Sequence, residues 1–504
     1  MRIYIIDHTF HYELENLTRV FFPNEKLEMV KENISVPSDT DGTYIVTRIC
    51  SADTGKNISV RVCFPQYDKE LCRNVDFIAD SEEYISEQER VMAVCLYELL
   101  REYTGITPPW GILTGVRPIK LFRRMSDEYG TEYTKGYFRD KLLVTEEKIL
   151  LAEETEANER AIINTSSDNS YSLYVSIPFC PTRCSYCSFV SQSTEKSKAL
   201  TEPYTELLCR ELEYTSRIMS ELNMKLETVY IGGGTPTTLS AEQLKNLMSA
   251  INRHFPMKDC REFTVEAGRP DTITEEKLIA ILEGGADRIS INPQTMNDRI
   301  LESIGRRHTS QQTIDAFFLA RKTGFMHINT DLIAGLPDES LESFQNTLGI
   351  ITELNPESIT VHTLSMKRSS GLTSQGMQIF REAAETASKM HSFCREVMHE
   401  KGYRPYYLYR QSRMVGNLEN TGYAKKGFDG LYNVFIMDET HSIIACGAGA
   451  VTKLKDNRDN SIQRIFNYKY PYEYISGFDE MLSRKNSIRQ FRGFTSDNHA
   501  KLIK

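Results

Sequence analysis

The chain has 504 residues, enough for two or three domains, and its composition of 40% hydrophobic and 26% charged residues is that of an ordinary globular protein. Its 69 acidic residues outnumber its 60 basic ones, and the net charge of −9 argues against a broad nucleic-acid-binding surface. Its apolar stretches are too short to span a bilayer and its N-terminus lacks a signal-peptide core, so we expect a cytoplasmic protein without a membrane span.

The first 165 residues predict an N-terminal α+β accessory domain without a catalytic signature. Strands are expected at residues 2–6, 42–49 and 57–63, and helices at 86–103 and 140–163. The loop at 108–118 contains Trp110, the chain's one tryptophan, which we expect to pack into this domain. The polar stretch 164–170 predicts a linker.

Strands and helices alternate after this linker. Strands are expected at residues 173–177, 228–231, 262–266, 288–292, 328–333 and 358–364, with helices at 204–224, 241–254, 274–283, 312–323 and 341–354. Alternation of this kind predicts an α/β fold with a parallel sheet. Six strands are fewer than the eight of a closed barrel, so we expect an open, partial barrel with its ligands at the carboxyl ends of the strands.

Three cysteines follow the first of these strands: Cys180, Cys184 and Cys187. Zinc sites usually add a second Cys-x2-Cys pair or two histidines, and neither lies near this run. A four-iron cluster normally takes one thiolate per iron, so three thiolates leave one iron open to another ligand. The spacing therefore favours a cluster over zinc. The other eight cysteines are expected to be thiols, with Cys446 in a glycine-rich turn kept as a functional candidate.

The cysteine run resembles the signature of the radical S-adenosylmethionine (radical SAM) enzymes. The run Gly232-Gly233-Gly234-Thr235-Pro236-Thr237, directly after the second strand, is similar to that of the oxygen-independent coproporphyrinogen III oxidases. The loop Trp110–Pro118 resembles the HemZ-type branch of that family. The resemblance implies a partial (βα)6 radical SAM barrel at residues 166–385. It also implies an N-terminal α+β domain at 1–165 and a C-terminal α/β extension at 386–504 that covers the substrate.

The resemblance further implies a [4Fe–4S] cluster on the three cysteines and SAM on its open iron. The implied SAM contacts are Tyr174, Tyr186, Gly233, Gly234, Thr235, Glu266, Gln294, Arg306, Asp331 and Ser365. Glu266 would engage the SAM ammonium, because a carboxylate bonds a cation strongly. Arg306 would pair with the SAM carboxylate, Asp331 would bond the ribose, and the backbone near Ser365 would meet the adenine.

The family's reaction converts two propionate side chains of coproporphyrinogen III into vinyl groups, giving protoporphyrinogen IX in heme biosynthesis. The resemblance thus implies a tetrapyrrole substrate, with coproporphyrinogen III expected, and a flavodoxin- or ferredoxin-type electron donor. Basic residues would meet the substrate carboxylates, with Arg404, Arg410, Arg413 and Lys425 as candidates.

Two features depart from the family pattern. The best-characterised oxidases carry a further cysteine two residues after the third ligand, where this chain has Phe189. The related heme chaperones lack that cysteine but carry a His-Asn-x-x-Tyr-Trp-like element. The corresponding stretch here, residues 417–423, has neither the histidine nor the tryptophan. Two alternatives therefore stay open: a heme-delivering chaperone that retains the cluster, and another tetrapyrrole-modifying radical SAM enzyme.

Overall fold

The computed structural model describes residues 1–23, 25–31, 42–189, 191–365, 374–411 and 414–494. The chain forms two compact units. The first comprises Met1–Glu154, Thr363–Lys389 and Tyr409–Asn420, and the second comprises Thr155–His362, Met390–Leu408 and Thr421–Lys504. Two segments from the second half of the chain thus group with its N-terminal part, and the predicted domain ranges 1–165, 166–385 and 386–504 stay predictions. The substrate-covering role of residues 386–504 stays a prediction.

The first unit contains a five-stranded sheet in the order β2-β1-β3-β4-β5. Its elements are β1 (Arg2–Ile6), α1 (His11–Phe21), β2 (Glu28–Val30), β3 (Tyr44–Ala52), β4 (Gly55–Phe64), β5 (Tyr67–Asp76), α2 (Ser81–Thr104), α3 (Pro118–Tyr129), α4 (Thr131–Asp140), the start of α5 (Glu146–Ile163) and a 3-10 turn at Val415–Asn417. Buried apolar side chains of α1, α2 and the sheet form one core, which includes Phe21, Phe64 and Leu96.

Two predicted helices of this unit differ from the observed ones. Helix α2 starts five residues earlier than predicted, because the Asp80 side chain accepts a hydrogen bond from the Glu83 N–H over 2.8 Å and caps the helix. The predicted helix at 140–163 is wrong in its first part. Helix α4 ends at Asp140 and α5 begins at Glu146, with Leu143 between them at φ +59°, which no helix interior adopts.

The second unit carries the alternating strands and helices. Its elements are the end of α5, β6 (Ser170–Ile177), β7 (Phe179–Cys180), β8 (Gln192–Ser193), α6 (Thr194–Glu221), β9 (Lys225–Gly233), α7 (Ala241–His254), β10 (Glu262–Glu266), α8 (Glu275–Glu283), β11 (Arg288–Ser290), α9 (Asp298–Ser303), α10 (Ser310–Thr323), β12 (His327–Ala334), α11 (Leu341–Leu354), β13 (Ser358–Thr363), the end of α12 (Ser374–Glu400), which begins in the first unit, β14 (Arg404–Tyr409), β15 (Asn420–Ala424), α13 (Leu431–Asp438), β16 (Ser442–Cys446), β17 (Val451–Lys455), β18 (Ile462–Phe466), α14 (Pro471–Ser476) and α15 (Phe478–Gln490). Short 3-10 helices lie at Pro236–Thr238, Met257–Asp259 and Pro270–Thr272.

The α/β prediction is confirmed by an eleven-stranded sheet in the order β14-β15-β13-β12-β11-β10-β9-β6-β16-β17-β18. Its strands β6, β9, β10, β11 and β12 are neighbours in chain order and pair in parallel, and β13 follows β12. This is the strand order of the expected partial (βα)6 barrel. Strand β6 is buried along almost its whole length, as expected for a parallel sheet covered on both faces.

The C-terminal part of the chain extends this sheet. Strand β16 pairs in parallel with β6, placing Ser442 opposite Tyr171 and Cys446 opposite Val175. Strands β17 and β18 then add to the edge as antiparallel neighbours. One apolar core joins β6 and β9 to helices α6, α7 and α8 and also takes in Leu454 and Met481 from the C-terminal segment. In the described part of the chain, no helix combines the length and apolar character needed to cross a bilayer.

Candidate active site

Cys180 ends β7, and Cys184 and Cys187 lie on the loop that leads from it to β8. Cys184 is buried, whereas Cys180 and Cys187 are partly exposed. The loop is fixed by its neighbours: Ser185 N–H donates to Ile304 O over 3.0 Å and Thr182 Oγ1 donates to Gly305 O over 2.7 Å. Burial raises the pKa of the Cys187 thiol, and the nearby Cys184 and Cys180 contribute to the increase.

Three thiols could hold either a zinc ion or an iron–sulfur cluster. Among the described residues, no group of three or more His, Cys, Asp and Glu side chains is gathered closely enough to hold a metal ion. Zinc would need its thiolates in one tetrahedron, whereas a four-iron cluster takes one thiolate on each iron. Three thiolates, one on each of three irons, would leave the fourth iron of such a cluster open to another ligand.

The glycine run places its backbone directly against the cysteine loop. A Cβ atom on Gly234 would come within 2.6 Å of Phe179 O, so only glycine fits this position. The Gly234 N–H donates to Ile177 O over 2.8 Å, and the Thr235 N–H donates to Phe179 O over 2.7 Å. The buried Thr235 hydroxyl also lies 3.5 Å from Cys180 Sγ. The end of β9 and the first cysteine therefore belong to one site.

Glu266 ends β10 beside the same glycines. Burial raises the pKa of its carboxyl to about 7, although the Tyr230 hydroxyl donates to Oε1 over 2.7 Å and the Gly233 N–H also donates to the carboxylate. Tyr230 stacks on Tyr432 and Tyr174, with ring centroids 4.5 and 6.2 Å away, and Tyr174 lies 6.2 Å from Tyr432 as well. The predicted Glu266 and Tyr174 are thus brought together by two tyrosines that the sequence reasoning missed.

Gln294 follows β11 in an unusual backbone conformation. Its φ is +74°, a value that costs free energy for a residue with a side chain, and its N–H donates to Asp331 O over 3.0 Å. The side chain is buried, and its Oε1 has no hydrogen-bond partner among the residues that the structure describes. A buried acceptor without a donor is costly, so this atom suits a ligand with a hydrogen-bond donor.

Arg306 connects β11 to the cysteine loop. Its guanidinium is buried, and its Nη1 donates to Asn292 O over 2.5 Å and to Gly268 O over 3.1 Å. Its Nε donates to the Tyr186 hydroxyl over 3.1 Å, and the group also contacts the Cys184 thiol. The predicted Arg306 and Tyr186 therefore meet beside the second cysteine.

Asp331 points from β12 into a polar group of neighbours. Burial opposes its ionisation, but hydrogen bonds and charge from His362, with further hydrogen bonds from Asn329 and Thr360, outweigh burial and lower the pKa of its carboxyl. Asn329 Nδ2 donates to Oδ1 over 2.8 Å, and His362 Nε2 lies 3.7 Å from Oδ2. Its negative charge also acts on Glu266. The site therefore holds two carboxyl groups with different pKa values.

Ser365 is the one predicted contact that lies in the first compact unit, where it forms an isolated bridge with Met414. Its role at the adenine stays a prediction. Among the substrate candidates, Arg404 pairs with Asp429 over 3.2 Å and Lys425 Nζ donates to Asn355 Oδ1 over 2.7 Å. Arg413 lies outside the described residues.

Two other residues singled out from the sequence, Arg410 and Cys446, are buried and hydrogen-bonded to neighbouring protein groups. Arg410 is buried in the first unit and donates from Nη1 to Leu113 O over 2.8 Å. Cys446 is buried with Sγ 3.5 Å from Thr215 Oγ1, and burial raises the pKa of its thiol to about 12. We assign both to packing.

Comparison with known proteins gives four findings. Residues 174–351 match the Radical SAM superfamily. The oxygen-independent coproporphyrinogen-III oxidase-like protein HemZ of Bacillus subtilis is 35% identical over 95% of this chain and 96% of its own length. The heme chaperone HemW of the same organism is 32% identical over 59% of this chain and 74% of its own length. The structure of coproporphyrinogen III oxidase (HemN) from Escherichia coli is 22% identical, with a TM-score of 0.49 over 64% of this chain and 72% of that one.

Proposed function

The chain belongs to the radical SAM superfamily and to its family of HemZ-type coproporphyrinogen-III oxidase-like proteins, and we propose that it is a coproporphyrinogen dehydrogenase. In the proposed reaction each of two propionate side chains loses a hydrogen atom from its β-carbon, then carbon dioxide and one electron. The products are vinyl groups, and coproporphyrinogen III becomes protoporphyrinogen IX. A flavodoxin- or ferredoxin-type protein would supply the electrons that start each cycle.

The cofactors of this superfamily are a [4Fe–4S] cluster and SAM, which when bound supply the radical that abstracts hydrogen. The residues fit these groups. Three thiols share one loop, Gly234 leaves no room for a side chain beside that loop, and the buried Gln294 Oε1 has no donor in the described part of the chain.

Each residue of the site has a proposed role. Cys180, Cys184 and Cys187 would hold the cluster. Glu266 would accept hydrogen bonds from the SAM ammonium, and Arg306 would donate to its carboxylate. The remaining SAM contacts would be the aromatic rings of Tyr174 and Tyr186, the backbone of Gly233, Gly234 and Thr235, the amide of Gln294, the carboxylate of Asp331 and the backbone of Ser365.

The observation that carries the proposal is that Thr235 and Arg306 contact two of the three cysteines. Thr235, after β9, lies 3.5 Å from Cys180, and Arg306, after β11, contacts Cys184. Arg306 thus brings a guanidinium to the loop on which the cluster would sit, and Glu266 ends the neighbouring strand β10 beside the glycine run. This arrangement supports SAM binding at an open iron, because an amino acid group offers one cation and one anion to complementary side chains.

A second candidate function is heme delivery, which the similarity to the heme chaperone favours. The stretch that would carry the chaperone's heme element speaks against it. Glu419 in that stretch is buried, and it accepts hydrogen bonds from Trp110 Nε1 and Lys148 Nζ, each over 2.8 Å. A stretch held by such contacts supports a structural role for these residues rather than heme binding.

The test is an anaerobic assay of the reconstituted protein with reductant, SAM and coproporphyrinogen III, followed by chromatography. Protoporphyrinogen IX formed together with methionine and 5′-deoxyadenosine would support the dehydrogenase. Cleavage of SAM without a decarboxylated product would point to another tetrapyrrole, with heme as the next substrate to test. Tight heme binding without either product would support the chaperone.

A further inference from the structure

Arg269 is a buried arginine that contacts the cysteine loop, and the sequence motifs did not single it out. It lies at the start of the 3-10 helix Pro270–Thr272, three residues after Glu266, and its side chain is 3% exposed. Its Nη1 donates to Cys184 Sγ over 3.4 Å, and its Nη2 donates to Thr182 Oγ1 over 2.7 Å. One guanidinium thus holds two positions of the loop at once.

Two buried guanidinium groups and one carboxylate lie around Cys184 in the described part of the chain. Arg269 Nε lies 3.5 Å from Asp271 Oδ1, and Arg306 is a second buried guanidinium beside the same thiol. Burial lowers the pKa of the neighbouring His308 to about 3, so this side chain adds no charge at neutral pH. Two guanidinium groups therefore face one carboxylate. Buried positive charge in excess is costly unless an anion compensates it.

The two arginines use their donors differently. Arg306 donates to the carbonyl groups of Gly268 and Asn292 and to Tyr186, on the side of the proposed SAM carboxylate. Arg269 directs both Nη atoms at the cysteine loop. Thr182, which accepts from Arg269, in turn donates to Gly305 O over 2.7 Å, so this contact does not move freely.

We propose that Arg269 is a positioning residue that raises the reduction potential of the cluster through a hydrogen bond and a fixed positive charge at the Cys184 sulfur. A thiolate-ligated cluster is an anion, and it gains one further negative charge when an external reductant gives it an electron. A buried cation that donates to a ligand sulfur stabilises the reduced form more than the oxidised form. Hydrogen bonds to the sulfurs and local charge are among the factors that set such potentials. The inference rests on the proposed function only in taking the three cysteines as cluster ligands.

The test is an anaerobic redox titration of the reconstituted protein without SAM, followed by electron paramagnetic resonance. We expect Arg269→Gln to lower the ratio of reduced to oxidised cluster about tenfold at a fixed potential, which for one electron is a shift of about 59 mV to more negative values. Arg269→Lys keeps the charge but not the forked donor geometry, so we expect a smaller shift in the same direction.

Arg307→Gln is the matched control. This variant also removes one positive charge, at the position that directly follows Arg306. Arg307, however, is 65% exposed and pairs with Glu195 over 2.8 Å. Because water and salt screen an exposed charge, we expect its cluster to titrate like that of the unmodified protein.

Each outcome decides the proposal. A full complement of iron in Arg269→Gln with an unchanged potential would overturn it. If Arg269→Gln binds no iron, Arg269→Lys is measured in its place, and an unchanged potential again overturns the proposal. If both variants are folded but bind no iron, Arg269 holds the cysteine loop in place. That result would also overturn the proposal that Arg269 raises the reduction potential. A wild-type chain without a four-iron cluster would refute the proposed function and this inference with it. A normal wild-type cluster that is insensitive to Arg269 would refute the inference alone.

Discussion

Tyr230 donates its hydroxyl to Oε1 of Glu266 over 2.7 Å, inside a site where burial raises the pKa of that carboxyl to about 7. The tyrosine ring is itself held by Tyr432, whose ring centroid lies 4.5 Å away. The helix that carries Tyr432 is in turn fixed at its start, because the Leu431 N–H donates to Glu262 Oε2 over 2.6 Å. Tyr432, from the C-terminal part of the chain, thus supports Glu266, which we propose accepts hydrogen bonds from the SAM ammonium.

Replacing Tyr230 by phenylalanine should weaken SAM binding. The change removes a hydrogen bond to a buried carboxylate, which contributes about 1.5 kcal/mol, so we expect the Kd for SAM to rise about tenfold. Equilibrium dialysis of the reconstituted protein measures this. Tyr171→Phe is the control, because the Tyr171 hydroxyl is buried and has no partner in the described part of the chain. Equal affinity in the Tyr230 variant and the unmodified protein would remove Tyr230 from the site.

SAM affinity should depend on pH through Glu266. Because burial raises the pKa of this carboxyl to about 7, much of it is protonated near neutral pH and cannot attract an ammonium. We expect affinity to increase as the pH rises through that value, and Glu266→Gln to bind weakly with little dependence on pH. Titrations of SAM binding across this range would reveal the difference. A flat profile in the unmodified protein would contradict the assigned role.

The Glu266 carboxyl should also make the stability of the folded chain depend on pH. The direction is opposite to that of SAM affinity, because stability should fall as the pH rises. Its pKa in the folded chain lies above its ordinary value, so the folded state binds the proton more tightly than the unfolded state. Its contribution to the free energy of unfolding is therefore fully present at low pH. This contribution is lost as the pH rises from the ordinary pKa of a glutamate through about 7. Glu266→Gln should remove this part of the pH dependence in thermal unfolding.

Replacing Arg306 by lysine should weaken SAM binding while leaving the cluster in place. A lysine keeps the charge but cannot reproduce the forked donors that reach Asn292 O and Tyr186. We expect the Kd for SAM to rise about tenfold or more. Iron content and SAM binding are measured on the same sample, with Arg307→Lys as the exposed control. Unchanged affinity would exclude Arg306 as the carboxylate partner.

Replacing Glu419 by glutamine should destabilise the first unit. The side chain of Lys148 is 3% exposed, and after the change it still pairs with Glu147, whose carboxylate is 40% exposed. Removing one member of a buried ion pair costs about 3 kcal/mol. Calorimetry should show a lower melting temperature, largely restored in the double variant Lys148→Met/Glu419→Gln. Equal melting of both variants and the unmodified protein would show that this pair does not stabilise the unit.

The fold of the core could be predicted because its signals are local. The glycine run ends β9 and Glu266 ends β10, as alternation and turn residues indicate. The contribution of the C-terminal segment could not be predicted in the same way. Strand β16 pairs with β6, which lies far away in sequence, and a short apolar run does not specify its partner.

The site itself was predicted only in part, for a similar reason. Arg269 and Cys184 are 85 positions apart, and no spacing rule connects them. A weak signal existed, because an arginine between Gly268 and Pro270 stands at a strand end where ligands gather. Tyr230 also had one: it lies two residues before Gly232, on the same face of its strand. No sequence signal pointed to Tyr432, because its position depends on the hydrogen bonds that Glu262 accepts from the start of α13.

In the proposed reaction, hydrogen is abstracted from a propionate β-carbon of coproporphyrinogen III. The most direct test is a turnover with substrate deuterated at that carbon, followed by mass spectrometry of the 5′-deoxyadenosine and the porphyrin product. We expect deuterium in the 5′-deoxyadenosine, vinyl groups in the product, and neither in Cys184→Ala. Deuterium-free 5′-deoxyadenosine with an unchanged substrate would contradict the claim.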